Sequence, residues 1–369
     1  MAQTVAFVQC AGYGEKLSEA VERVLSLSGW QAATNLAGKR ILVKPNLLTD
    51  RKPEQAVTTH PEFVRQIIRW LKHRGAQVVV GDSPASTANL KNVWELSGLR
   101  VVCEEEGVPL ISLEQAGVKS FTMDGFSFAV AQPVLEADYV VNLPKLKSHA
   151  LTLLTAGVKN IYGVLPGYSK TLLHRQYPNP LEFGQLIATI WKVIPPSITI
   201  VDGIVGLEGQ GPANGTPVAL GFIAAAENPF AVDRALCSVL TIDAGRVPYL
   251  AGDQGRDYHC VGDTIKVKSF EIPSGTHILN VLPKALVKAL GHIVWVRPAF
   301  SDKACIRCGK CVKACPVKAL TLEDAAYPPL LEAKLCISCC CCHEVCPADA
   351  IRMTQSFVLR TLKVFKGID

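Results

Sequence analysis

The sequence predicts an α/β protein with a mainly parallel sheet flanked by helices, followed by a small cysteine-rich α+β module. Two observations carry this. Up to about residue 280, short apolar runs alternate with amphipathic stretches, the pattern of strand–helix–strand units. Beyond it, ten of the 14 cysteines fall between Cys305 and Cys346. The division expected is an α/β domain over 1–290, a cysteine-rich module over 294–353 and a basic tail over 354–369.

The first strands read at Val5–Val8, Arg40–Val43, Gln77–Val80 and Asp138–Val141. Ile198–Val201 and Val218–Ala224 follow, rich in residues that favour strands. Helical periodicity appears at Glu15–Leu27, Pro61–His73 and Leu181–Val193. In the second of these, Phe63, Val64, Ile67, Ile68 and Leu71 share one face. Phe121–Val130 carries Asp124-Gly125 at its centre and reads as a hairpin. Ala285–Leu290 reads as a short helix leading out of the domain. Met353–Lys366 reads as an amphipathic helix, with Val358, Leu362 and Phe365 on one stripe and Arg360, Lys363 and Lys366 on another. Such a tail docks its apolar stripe on its own protein more often than on lipid.

The chain has 369 residues and a net charge of +6, with the basic residues scattered. Nothing resembles a nucleic-acid-binding tract. The N-terminus has no basic start or apolar core of a secretory signal. No apolar run approaches the length of a membrane span. The expectation is a cytoplasmic protein whose clustered cysteines serve metal or redox chemistry rather than disulfides.

Those cysteines form a repeat. Cys305-Ile-Arg-Cys-Gly-Lys-Cys-Val-Lys-Ala-Cys-Pro316 returns as Cys336-Ile-Ser-Cys-Cys-Cys-Cys-His-Glu-Val-Cys-Pro347. Each unit reads C-x2-C-x2-C-x3-C-P. Three closely spaced thiolates wrap one face of a cubane, and the fourth cysteine reaches across to the other cluster. Structural zinc uses separated ligand pairs instead. The module resembles the bacterial two-cluster ferredoxins over roughly Val294 to Met353. That resemblance implies two [4Fe–4S] clusters. One takes Cys305, Cys308, Cys311 and Cys346; the other takes Cys336, Cys339, Cys342 and Cys315. Cys340 stands where the first unit has Gly309, and Cys341 is also extra; both read as small residues packed beside the cluster. From Arg297 onward there are 11 Lys/Arg against 7 Asp/Glu, which suits a built-in relay better than an acidic free carrier.

In the larger domain, polar residues gather after the predicted strands. Lys44 and Asn46 follow one; Asp82 and Ser83 follow another. Lys145, Lys147 and His149 follow a third, and Asp202 opens a glycine-rich stretch containing Glu208. Parallel neighbours would bring these groups to one sheet edge, where open α/β sheets bind ligands. Lys44, Lys145, Lys147 and Lys159 are read as holding a small anion. His149 is read as handling a proton near neutral pH. Asp82, Asp202 and Glu208 are read as balancing the lysines, orienting substrate or holding a divalent ion. Asn46, Ser83 and Asn160 would supply neutral hydrogen bonds. No Walker A motif or dinucleotide fingerprint is present. A second cofactor, flavin included, stays open.

Val43-Lys-Pro-Asn46, Gly81-Asp-Ser-Pro84, Asn142-Leu-Pro-Lys-Leu-Lys-Ser-His149 and Val158-Lys-Asn-Ile-Tyr-Gly163 resemble a bacterial and archaeal family of uncharacterised iron–sulfur proteins. In it, a large domain of unknown function is fused to a two-cluster ferredoxin. The leading expectation is an oxidoreductase that passes low-potential electrons to a small anionic substrate in the α/β domain. The alternatives are an adaptor that delivers electrons to a docked protein partner, and a redox sensor or metalloprotein maturation factor. Sequence leaves the oligomeric state open.

Overall fold

The computed structural model describes residues 2–30, 35–85, 88–195, 197–273, 295–322 and 328–358. The helix expected at Ala285–Leu290 lies outside them. Strands β1 (Gln3–Gln9), β2 (Arg40–Pro45), β3 (Gln77–Asp82) and β4 (Leu110–Ser112) are followed by the hairpin β5 (Val118–Met123) and β6 (Phe126–Ala131). Then come β7 (Tyr139–Leu143), β8 (Lys145–His149), β9 (Leu153–Thr155), β10 (Ser197–Glu208), β11 (Thr216–Ala226) and β12 (Tyr258–Gly262). The main sheet runs β12-β1-β11-β10-β7-β2-β3-β4, with β8 and β9 attached beside the far half of β10. Its centre, β10-β7-β2-β3-β4, is parallel. Only β11 runs antiparallel to both its neighbours in that order. The hairpin forms its own two-stranded sheet.

Strand periodicity divides the core. Ile41, Val43, Val141, Leu143, Ile198 and Ile200 face one side, against helices α1 (Leu17–Ser28) and α2 (Pro61–His73). Leu42, Val140, Val201 and Phe222 face the other. That second face is covered by α5 (Pro180–Ile190) and α6 (Pro229–Val239), which follow α3 (Gly157–Asn160) and α4 (Tyr168–Gln176) in the chain. Each fully buried Val, Leu or Ile contributes about 1.5–3 kcal/mol. With both faces covered, the parallel centre has no solvent side, and Lys44, Asp82 and Asn142 sit at the C-terminal ends of β2, β3 and β7.

The C-terminal module pairs β13 (Val296–Phe300) with β16 (Ile351–Gln355), and β14 (Leu320–Thr321) with β15 (Leu330–Leu331). Short helices α7 (Lys310–Ala314) and α8 (Cys341–Glu344) lie between. The tail expectation needs correction at its start: Met353 to Gln355 are paired in β16, not helical. Residues 359–369 lie outside the described part.

The repeat is visible in the backbone. Left-handed residues recur at matching places: Arg307 and Ser338 (φ 60° and 57°), Gly309 and Cys340 (67° and 65°), Lys318 and Asp349 (53° and 52°). The fourth cysteines match too. Cys315 Sγ accepts from Ala319 N–H at 3.2 Å, and Cys346 Sγ from Ala350 N–H at 3.3 Å. Cys340 therefore occupies a backbone position that favours glycine, and its buried side chain offsets that cost. At Gly309 an added Cβ would meet nothing within 4 Å. Gly309→Ala should thus show the backbone term alone, a loss of about 1 kcal/mol in anaerobic urea unfolding. An unchanged midpoint would show that the turn relaxes.

Candidate functional site

The cysteines form two sets. One cavity is lined by Cys305, Cys308, Cys311 and Cys346, the other by Cys315, Cys336, Cys339 and Cys342, with Cys340 beside it. In each, three cysteines come from one repeat and the fourth from the other. Four thiol donors around a largely apolar space fit an iron–sulfur cluster. Among the described residues, no group of three His, Cys, Asp or Glu side chains is set to hold a single metal ion.

A third cavity, of about 90 Å³, lies where the module meets the sheet edge. Its α/β wall includes Lys44, Asn46, Asp82, Ser83, Lys147 and His149. Lys159 and Asn160 of α3 and Lys170 and His174 of α4 join them. The opposite wall comprises Ala314, Cys341, Glu344 and Val345 of the cysteine module. Cross-links beside it hold the two parts together. Arg51 pairs with Asp349 at 2.9 Å and donates to Cys346 O at 3.0 Å. Lys310 pairs with Asp50 at 3.2 Å, and Asn214 donates to His343 O at 3.2 Å.

An ammonium group has three donors, and counting them separates the four lysines. Lys44 pairs with Asp82 at 2.7 Å and donates to Pro45 O at 2.8 Å and Asn160 Oδ1 at 3.4 Å. Lys170 donates to Ser83 Oγ at 2.9 Å and to the carbonyls of Ser83 and Pro84. Both are saturated. Lys147 uses two donors, on Asn46 Oδ1 at 2.9 Å and Val57 O at 2.8 Å, leaving one. Lys159 makes no hydrogen bond among the described residues; its ammonium lies over the rings of Tyr162 and Phe183 at 5.6 and 5.9 Å. An amide chain orients the site behind Lys147. Asn46 Nδ2 donates to Asn160 Oδ1, Asn160 Nδ2 to Asn142 Oδ1, and Asn142 Nδ2 to Gly157 O.

Burial lowers the pKa of Lys147 well below the ordinary lysine value, and the Lys159 charge adds to this. Burial also lowers Lys159, with Glu344 and Cys341 opposing. It brings Lys170 down to about 8. Burial alone would raise Glu344, but the His149 ring and the charge of Lys159 outweigh it and hold the acid low.

His149 differs from its expected role. Its Nδ1 accepts from Leu151 N–H at 3.0 Å and Thr152 N–H at 3.2 Å, so the ring proton sits on Nε2, 3.2 Å from Glu344 Oε1. Burial, with the Lys159 charge, drops its pKa to about 3. It is a fixed neutral donor facing Glu344, not a neutral-pH proton carrier. Burial likewise lowers His174 to about 4.

These two rings predict a pH dependence. Below pH 6.5 the unfolded chain binds protons that the folded one refuses, so their stability contribution is present above 6.5 and lost as pH falls. Between pH 7 and 5 each should cost about 2 kcal/mol. Anaerobic urea midpoints should fall over that range, and less so in His174→Phe, which keeps the ring stack on Phe183. An equal fall in wild type and variant would mean that His174 takes up its proton without unfolding.

Not every expected residue reaches the cavity. Lys145 donates to Asp202 Oδ2 and to Tyr13 Oη, both at 2.8 Å; Tyr13 Oη–H donates to Asp202 Oδ1 at 2.8 Å. His60 N–H completes the group on Asp202 at 3.0 Å, and its ring stacks on Tyr13 at 3.6 Å. This closed network ties the loop between β1 and α1, the N-cap of α2, β8 and β10 together. Glu208 sits at the far end of β10 and accepts from Glu271 N–H. Asp82, Asp202 and Glu208 therefore stand in three separate settings and form no joint divalent-ion site. Conversely, Lys170, His174, Tyr162 and Glu344 escaped the sequence reading. Glu344 had one signal: it replaces Lys313 in the repeat, a reversal of charge.

Among the described residues, no helix is long and apolar enough to cross a membrane. A family model described as "Domain of unknown function (DUF362)" matches residues 41–238, and one described as "4Fe-4S binding domain" matches residues 298–321. The thylakoid-associated protein sll1697 of Synechocystis sp. (strain ATCC 27184 / PCC 6803 / Kazusa) is 34% identical over 219 residues, 59% of this chain and 68% of that protein. Among solved structures, the lactate racemase apoprotein from Thermoanaerobacterium thermosaccharolyticum aligns with a TM-score of 0.43 at 13% identity. That alignment covers 65% of this chain and 56% of that one.

Proposed function

This chain belongs to the DUF362 family and carries a 4Fe-4S binding domain, and from that premise we propose that it is an iron–sulfur oxidoreductase acting on a small anion in the lysine cavity. The observation that carries the reading is Lys159. Its ammonium has no hydrogen-bond partner among the described residues, in a cavity whose other wall is the cysteine-bearing segment of Cys341 and Glu344.

The residues present fit two [4Fe–4S] clusters, held by Cys305, Cys308, Cys311 and Cys346 and by Cys336, Cys339, Cys342 and Cys315. When bound, they supply electrons one at a time. The chain's own residues do the rest. Lys159 and the free donor of Lys147 bind the anion. The amide chain behind Asn46 holds Lys147 in place. Lys147, with its lowered pKa, gives a proton to the reduced substrate more readily than an ordinary lysine. His149 and Lys159 keep Glu344 ionised, which prevents the acid from competing as a proton donor. An electron carrier protein completes the cycle.

The test uses the reduced protein under anaerobic conditions. Small-molecule extract from cells that make it is separated by charge, and cluster reoxidation is followed by absorbance. The anionic fraction should accelerate reoxidation and the neutral and cationic fractions should not. If no fraction accelerates it, the cavity is not a substrate site and the clusters serve a protein partner alone.

A further inference from the structure

Four side chains of the lysine cavity keep unused hydrogen-bonding capacity, and they fall into two pairs. Lys147 and Thr155 stand directly opposite each other in the β8–β9 ladder, so their side chains leave the same face, and both line the cavity. Lys147 keeps one donor, and Thr155 Oγ1 has no hydrogen-bond partner among the described residues. Lys159 and His174 form the second pair, through two shared rings. The Lys159 ammonium lies over Tyr162 and Phe183. The His174 ring meets Tyr162 edge-on at 5.5 Å and stacks on Phe183 at 4.3 Å. Its Nδ1, like the Lys159 ammonium, has no hydrogen-bond partner among the described residues. Thr155 and His174 are only 4% and 5% exposed, and buried polar atoms without partners are costly. Each pair therefore offers an ammonium and a neutral polar atom to the same space.

Charge points the same way. The described lining carries the ammonium groups of Lys44, Lys147, Lys159 and Lys170 against the carboxylates of Asp82 and Glu344. With every lysine protonated, that is a surplus of two positive charges. Lys44 and Asp82 offset each other. A buried surplus calls for a counter-charge inside the cavity. Neither cysteine-lined cavity shares a residue with this one, so a cluster there cannot supply the missing hydrogen bonds. Leu48, Pro84, Ala85 and Val345 add apolar lining suited to a short carbon chain.

We propose that the anion of this cavity is a small dicarboxylate, with one carboxylate at Lys147 and Thr155 and the other at Lys159 and His174. The inference rests on the cavity being the substrate site and names the class of substrate. A carboxylate only accepts hydrogen bonds, so the Thr155 hydroxyl and His174 Nδ1–H donate, and the neutral imidazole carries its proton on Nδ1. Two negative ends match the surplus of two, and the apolar lining holds the carbons between them. A single-centred oxyanion such as phosphate would bring its charge but not two separate ends.

The experiment is anaerobic isothermal titration calorimetry on the full chain, with iron content matched across variants. The probes are malonate, succinate and glutarate, the monocarboxylate of each chain length, and inorganic phosphate. The best dicarboxylate should bind about 100-fold tighter than its monocarboxylate. Thr155→Val and His174→Phe should each weaken that dicarboxylate about tenfold. Both remove an unpartnered buried polar atom, so both variants should fold. The monocarboxylate fills one pair and should respond to one of the two substitutions only. The proposal is overturned if the monocarboxylate binds as tightly as the best dicarboxylate, or if inorganic phosphate binds more tightly than every dicarboxylate. It is overturned equally if both substitutions leave dicarboxylate affinity unchanged. Failure of the substrate reading looks different: a dicarboxylate would bind as expected, with both substitutions felt, yet leave the reduced clusters reduced. Conversely, an anionic extract fraction that reoxidises the clusters while no dicarboxylate binds keeps the substrate site and removes the dicarboxylate.

Discussion

Replacing Lys159 with methionine should slow anion-driven reoxidation of the reduced clusters by about 100-fold, with cluster content unchanged. The magnitude follows from donor counting. A hydrogen bond to a charged group contributes about 1.5–3 kcal/mol, and a bound anion can take two from an ammonium that makes none among the described residues. Losing about 3 kcal/mol corresponds to about two powers of ten. The same change at Lys170 should act differently, because that ammonium already spends its donors on Ser83 and Pro84. Lys170→Met should therefore reduce stability first and activity only with it. Anaerobic urea unfolding run beside the reoxidation assay separates the two. Equal reoxidation rates for wild type and Lys159→Met would remove the anion site.

The contrast between these lysines also shows what was legible in the sequence. The strands β1, β2, β3, β7, β10 and β11 and helices α1, α2 and α5 stood out because apolar residues recur there at strand or helix spacing. The parallel centre then placed the ends of β2, β3 and β7 together. Strand β8 did not stand out. Lys145, Lys147, Ser148 and His149 are all buried, yet a segment of that composition reads as a solvated loop, since buried lysines are rare. What makes its burial tolerable lies far away in sequence: Asp202 for Lys145, Asn46 and Val57 for Lys147, Glu344 for His149. No local pattern reports partners of that kind. Lys170 and His174 share a face of α4 one turn apart, but that helix lacks a clear apolar stripe to call attention to them. The cysteine repeat was legible because a 4Fe-4S binding domain imposes its spacing within a dozen residues. Of the lysine cavity, much of the α/β wall was legible, but the facing wall of Ala314, Cys341, Glu344 and Val345 was not, because it comes from the cysteine module.

Asp82 and Lys44 give the second large effect. Asp82→Asn should destabilise the protein by about 3–5 kcal/mol, since it strips the counter-charge from a lysine only 1% exposed. The amide can still accept from Leu47 N–H, which now bonds Asp82 Oδ2 at 2.7 Å, so the loss isolates the charge. Lys44→Met combined with Asp82→Asn removes both charges and should be more stable than Asp82→Asn alone. Gly163 tests the pair from another side. A Cβ there would lie 2.2 Å from Asp82 Oδ1 and 2.7 Å from Lys44 Nζ, so Gly163→Ala must push the pair apart and should cost a similar amount. The outcome decides the role of these residues. If Asp82→Asn unfolds readily and the double variant recovers, the pair is a buried support for the cavity, and its retention is structural. If Asp82→Asn stays fully stable while anion-driven reoxidation is lost, Lys44 has given up its proton in the folded state. Asp82 then acts directly on the substrate, and the proton assigned to Lys147 would have to come from the Lys44–Asp82 side of the cavity instead.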